Sequence, residues 1–315
     1  FTPNFTVAAS GGTHATVQAA VTAAVTMGGT NRLFIRVMPG TYREVVCVPN
    51  TAPPITLYST SADASQTTIV YDNLAGTTVS VTNPCAAPSS TTYGTSGSAT
   101  FAAYGAGFMA KNITFSNDGD EASVSSGTQG VALSTRNDRL VFENVRLLGN
   151  QDTLLVGTSN VNTIMRAYFK GAHIEGDVDF ICGRGTAVFD GGTIRLATNR
   201  RATGNLLAPS TDSRNPYGFL VIGATLNAAS GATAAGMTLG RAWDESQVDV
   251  ATYTTNVATG VYPNGQAVVR DSTLGAHVNG ASPWAAAATT SRPFSSTPTA
   301  TLPPNRLYEF NDSGP

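Results

Sequence analysis

Asp152 and Asp179 stand 27 residues apart, each near the end of a segment that copies the other. One copy reads Phe142-Glu-Asn-Val-Arg-Leu-Leu-Gly-Asn-Gln-Asp-Thr-Leu154, the other Phe169-Lys-Gly-Ala-His-Ile-Glu-Gly-Asp-Val-Asp-Phe-Ile181. Phe142 falls on Phe169, Gly149 on Gly176 and Asp152 on Asp179. Two carboxyls held together repel, so one keeps its proton to higher pH than the other. That split lets one serve as an anion while its neighbour serves as a proton donor. The competing reading is a ladder without chemistry. Solenoids do stack such ladders, but usually from hydrogen-bonded Asn, and a pair of stacked Asp suits that purpose poorly.

The elements that place the pair follow from the repeat. A fainter copy begins at Phe189 with Asp-Gly-Gly-Thr-Ile194, and another precedes at Lys111-Asn-Ile-Thr-Phe115. Steps of 27 and then 20 residues lie in the range of stacked repeats. In a parallel stack, equivalent positions sit about 4.8 Å apart on neighbouring strands. Short β-branched runs punctuated by Gly and Asn supply the strands: Leu33–Val37, Ile55–Tyr58, Thr67–Val70, Val141-Phe142, Ile174 with its neighbours, and Phe219–Ile222. Helical spacing occurs in Thr13–Met27, where Val17, Ala20, Val21, Ala24 and Val25 recur. Thr13 is the expected cap, Gly28-Gly29 the expected stop, and the helix is expected to cover the first turn of the stack. A parallel β-helix accounts for these features. A hairpin sandwich needs Asn-Gly or Asp-Gly turns at regular spacing. Here they are few and irregular, at Asp118, Asp190, Asn264 and Asn279.

Composition narrows the function classes. The 315 residues are expected to form one domain over 1–315, and only 12% are charged, with a formal net charge of −2. That balance argues against nucleic acid as a partner. An acidic polymer would be gripped locally, and arginines do cluster in the second half: Arg184, Arg195, Arg200, Arg201, Arg214 and Arg241. No apolar run approaches the ~20 residues of a membrane span. Three histidines share no ligand spacing, so neither metal nor cofactor is expected. The chain starts at Phe1 without Met, which suggests processing, and acceptor triplets stand at Asn4, Asn112 and Asn311. A secreted glycoprotein is the expectation, and the chain is taken to be a monomer. Of the three cysteines, Cys47 and Cys85 are the expected pair in that setting, because Cys182 falls in the segment of the aspartates.

Five segments resemble the signature boxes of the pectin methylesterase family. They are Gly40-Thr-Tyr-Arg-Glu44, Gln129-Gly-Val-Ala-Leu133, Gln151-Asp-Thr-Leu154, Asp179-Phe-Ile-Cys-Gly183 and Leu239-Gly-Arg-Ala-Trp243. The ending Tyr308–Pro315 also resembles the family's. Any one box is weak, but five in order across the chain are specific. The resemblance implies an all-β protein, a right-handed parallel β-helix, that hydrolyses methyl esters of polygalacturonate. It assigns Asp179 as nucleophile and Asp152 as general acid and base. Gln129 and Gln151 would donate to the oxyanion, and Arg241 would pair with Asp179. Trp243 offers a flat apolar face to a sugar ring. The expected substrate contacts are Gln129, Thr100, Val178, Arg241 and Trp243. The chain departs from the family at Cys182, where an aromatic is usual, at Leu155 for Tyr, and at Ala242 for Pro. These departures are expected at the substrate cleft and bear on subsite preference.

Two rivals remain. A pectate lyase also uses a β-helix but needs calcium held by several carboxylates and a basic proton acceptor, which this residue set does not supply. A non-catalytic polysaccharide-binding solenoid has no use for the aspartate pair.

Overall fold

The computed structural model describes residues 1–81, 83–85 and 91–315. Among the described residues, three parallel sheets of ten, seven and eight strands stack along a right-handed parallel β-helix. One coil contributes a strand to each sheet in turn. Leu140–Glu143, Arg146–Leu148 and Leu154–Val156 form one coil, and Arg166–Lys170, His173–Gly176 and Val178–Gly183 form the next. Phe142 pairs with Phe169, Arg146 with His173, and Leu154 with Ile181, so the offset stays constant around the whole coil. The inferred repeat is thus the coil repeat. Phe169 then pairs with Phe189, as the fainter copy requires. The Phe142, Phe169 and Phe189 rings stack inside the coil, with centroids 4.7 and 4.9 Å apart. Aromatic area this large, removed from water at each level, pins the register.

The Asn and Gly punctuation has a backbone cause. From the coil of Asn112 onward, the corner between the ten- and eight-stranded sheets takes a positive φ at each level. Asn112 (59°), Asn144 (49°), Gly171 (59°), Gly191 (65°), Gly223 (64°), Asp271 (50°) and Asn311 (55°) fill it. Such angles are open mainly to Gly, Asn and Asp. The side chains pair up the stack, Asn144 Nδ2 donating to Asn112 Oδ1 at 2.9 Å. Asn112, one of the three acceptor triplets, thus has a structural part in the corner. Its side chain is buried, and its Nδ2 donates to the Ser59 carbonyl.

The helix α1 spans Val17–Met27. Val17, Ala20, Val21 and Ala24 bury one face against Phe5–Val7, Leu33–Val37 and Val46–Val48, at the first coil of the stack. The cap is Thr16, not Thr13. Thr16 Oγ1 accepts from Ala19 N at 3.1 Å, whereas Thr13 bonds the backbone of Thr6. Glu44 decides the start. Its carboxylate accepts from the N–H groups of Val17 and Gln18, both at 2.8 Å, where the helix dipole favours an anion. The first signature box therefore anchors the helix. Gly28 ends it with φ 65°, as expected.

Candidate active site

The seven-stranded sheet carries the site on its outer face. Asp152 and Asp179 occupy the same position on consecutive coils, at the corner leading into that sheet. Both have positive φ, 61° and 51°, and both are 8% exposed. Asp152 N–H donates to the Val178 carbonyl at 3.2 Å, tying one level to the next. The repeat's glycine is needed just before. A Cβ at Gly176 would lie 2.3 Å from Phe180 Cβ and 2.6 Å from the Asn150 carbonyl oxygen.

Arg241 follows the strand Met237–Gly240, two strands from Asp179. The strand between carries Ala208, small enough for the guanidinium to cross. Arg241 Nε donates to Asp179 Oδ1 at 2.9 Å and Nη2 to Oδ2 at 2.7 Å. Such fork-to-fork pairs fix geometry as well as charge. Asp152 differs sharply. Burial first, and then the Asp179 charge, push its carboxyl well above the usual carboxylate range. The two carboxyls thus stand in unequal surroundings, one forked to a guanidinium and the other buried beside it.

Both aspartates face a cleft of about 210 Å³ with Gln129, Gln151, Arg241 and Trp243 in its lining. Thr128 Oγ1 donates to Gln151 Oε1 at 2.8 Å, which leaves the Nε2 donors as the end free for a ligand. Trp243 packs over an apolar floor of Ala99, Val131, Leu155, Cys182 and Ala208. Its position is clasped from behind. Asp244 accepts from Arg292 Nε and Nη2 and from Thr290 Oγ1, all buried, and this holds the Ala288-Thr289 wall opposite.

Several expected residues lie elsewhere. Thr100 is fully buried, and its hydroxyl donates to the Ser116 carbonyl at 2.9 Å, so it is corrected to an internal turn residue. Val178 is buried and absent from the cleft lining; its part is the backbone bond to Asp152. Cys182 is on the cleft floor, and Leu155 lines the next hollow along. Ala242 is buried with its carbonyl accepting from Ala288 N, away from the cleft. Each of the six arginines singled out from the sequence carries a carboxylate partner: Glu245 for Arg184, Glu175 for Arg195, Asp177 for both Arg200 and Arg201, Asp212 for Arg214, and Asp179 for Arg241. Cys47 and Cys85 form the expected disulfide and Cys182 is free. Sequence reasoning missed Thr95 and Thr289 in the cleft wall. Nothing in their neighbourhood marks them, since both come from irregular segments far from the repeat.

Fold and cleft together describe a β-helix enzyme. The family model described as Pectinesterase matches residues 4–273. A pectinesterase of Ralstonia solanacearum is 47% identical over 330 residues, covering 100% of this chain and 80% of that protein. The solved structure of rice weevil pectin methyl esterase superposes with a TM-score of 0.86 at 32% identity, covering 99% of this chain and 89% of that one. A putative acyl-CoA thioester hydrolase, YbhC of Escherichia coli, is 32% identical over 355 residues, covering 99% of this chain and 79% of that protein. The chain belongs to the pectinesterase family, and it is an ester hydrolase of that family.

Proposed function

We propose that the protein removes methyl esters from polygalacturonate and releases methanol. The observation that carries this reading is the unequal pair: burial and the neighbouring Asp179 raise the proton affinity of Asp152, while Arg241 grips Asp179 through two hydrogen bonds. An Asp179 oxygen attacks the ester carbonyl carbon. The carbonyl electrons move onto oxygen, where the Nε2 groups of Gln129 and Gln151 donate to the developing charge. The C–O bond to the methoxy group breaks as Asp152 gives that oxygen its proton, so methanol leaves and an acyl anhydride with Asp179 remains. Asp152, now a carboxylate, takes a proton from water. The hydroxide adds to the sugar carbonyl, and Asp179 leaves as a carboxylate with Asp152 again protonated. Trp243 presents its ring to a sugar face, and Arg241 keeps the nucleophile oriented throughout.

The Cys47–Cys85 disulfide supports secretion, because such bonds persist in oxidising compartments. We assign the protein to the extracellular space, as a monomer. Methanol release from methylated polygalacturonate by purified protein tests the activity, with acyl-CoA thioesters run alongside. Turnover of the thioester alone, or an unsaturated sugar product in place of methanol, overturns the reading.

A further inference from the structure

The cleft lies on the seven-stranded sheet, and the outer face of the ten-stranded sheet is a separate surface. The strand ladders there place Met109, Val141, Tyr168, Val188, Leu220 and Val268 in one row on six consecutive strands. All six point outward, since the residues on either side of each are buried in the core, and all six are partly exposed. Towards one end Phe1, 73% exposed, stacks its ring on Phe34 of the same row, with centroids 4.7 Å apart. Parallel sheets are seldom left with a bare face, and a contiguous apolar stripe in water marks a contact surface. The row beside the stripe carries charge that alternates in sign: Lys111, Glu143, Lys170 and Asp190 follow one another on four consecutive strands.

That alternation is complementary to itself. A half-turn about a line along the strands, midway between Glu143 and Lys170, sets Glu143 against Lys170 of a second copy and Lys111 against its Asp190. The same half-turn sets Val141 against the second copy's Tyr168 and Met109 against its Val188, a large side chain facing a small one each time. The line also falls at the middle of the sheet, with five strands on either side, so two copies overlap along the whole face. A surface that meets itself residue for residue is what a two-fold interface requires. We infer that a second copy of this chain docks on this face, with the two stacks running in opposite directions. Nine spacings of ~4.8 Å, with strands of mostly four or five residues at ~3.3 Å each, make a face of roughly 43 by 15 Å. Both copies together bury about 1,300 Å², above the ~1,000 Å² that a specific interface needs. The rim weakens the contact. Arg36 meets Arg270 of the second copy, and Arg139, 76% exposed on the other side of the stripe, has to stay in water. Pairing is therefore reversible, and the monomer assigned above remains the catalytic unit: each copy carries a whole cleft on another sheet.

Sedimentation of the purified protein over a concentration series tests this without any turnover. The mass should rise from 32.4 kDa towards twice that value, with a Kd on the order of micromolar. Val188→Lys, Glu143→Lys and Lys170→Glu should each raise that Kd at least about tenfold, with the melting temperature of dilute protein near that of wild type. The two charge variants give the sharper result. Each alone sets like charges across the half-turn, whereas an equimolar mixture sets opposite charges at both places. The mixture should therefore dimerise as wild type does, although neither component does so alone. A wild type that stays at 32.4 kDa up to ~1 mM overturns the proposal. So does a dimer that Val188→Lys leaves intact, which puts the contact on another face. A mixture no heavier than its components overturns the half-turn arrangement and the proposal with it.

Discussion

Asp152 and Asp179 share not only a position on consecutive coils but an unusual backbone: both are left-handed, and Asp152 N–H donates to the carbonyl just before Asp179. Left-handed φ at a non-glycine costs about 1–3 kcal/mol and persists only where surroundings enforce it. Here the parallel ladders on either side enforce it. The carboxyls are thus aimed by the fold, not by their own rotamers alone.

Loss of the charge on Asp179 should therefore remove chemistry while the coil stays intact. Asp179→Asn keeps the volume and the backbone, but an amide is a far poorer nucleophile. Methanol release should fall by at least ~100-fold, with the far-UV spectrum unchanged. The same change also leaves Arg241, which is only partly exposed, without its carboxylate. Melting should consequently drop by an amount equivalent to about 1–3 kcal/mol. Turnover near the wild-type level in this variant would remove Asp179 from the mechanism.

Cys182→Phe restores the aromatic usual in the family but must do so on a closed floor. Cys182 is fully buried between Leu155 and Ala208 in the outward ladder, beneath Trp243. Overpacking there should destabilise by about 1–3 kcal/mol. The ring's other outlet is the cleft. Affinity for long methylated chains should change, with kcat kept within a few-fold because neither aspartate moves. Identical KM values for short and long chains in both proteins would contradict this.

The Cys47–Cys85 bond closes a separation of 38 residues and ties the strand Val46–Val48 to a loop whose Asn83 donates to the Ala99 carbonyl. Closing a loop of that length stabilises by about 2–4 kcal/mol. Cys85→Ser should lower the melting temperature by several degrees. A thiol titration of denatured protein checks the pairing directly. One thiol, that of Cys182, should react before reduction and all three cysteines after it. Three reactive thiols before reduction would refute the bond.

Much of this was legible from the chain. The coil register could be read because Phe142, Phe169 and Phe189 are large, apolar and evenly placed, and a ring stack tolerates no slip. The aspartate pair came with that register. The limits are equally specific. Thr100 sits next to the strand Phe101–Ala103, yet sequence does not say which face it takes, and it turned inward. Thr13 and Thr16 both precede the apolar periodicity. The choice between them was made by Glu44, from another coil. Thr289 reaches the cleft because the buried Asp244–Arg292 pair folds an irregular tail back, a contact between residues with no shared pattern.

The raised Asp152 proton affinity makes a separate claim on stability. Its folded pKa lies above the unfolded value of about 3.9, so the native state holds a proton that the unfolded chain gives up. Below about pH 3.9 both states are protonated and the group adds no penalty. As pH rises from there towards the folded pKa, the unfolded state gains by ionising and native stability falls. Above the folded pKa both states are ionised and the deficit stays constant. Asp152→Asn removes the titration. The variant should therefore melt at least as high as wild type near neutral pH, and the difference should shrink on acidification. If Asp152 is the proton donor proposed above, wild-type turnover should fall on the alkaline side as that group ionises. Melting curves and methanol release for both proteins, taken from acid to neutral pH and beyond, provide the check. A marked drop in the neutral-pH melting temperature of Asp152→Asn would show that Asp152 stabilises the fold as an anion, and the proton-donor assignment would go with it.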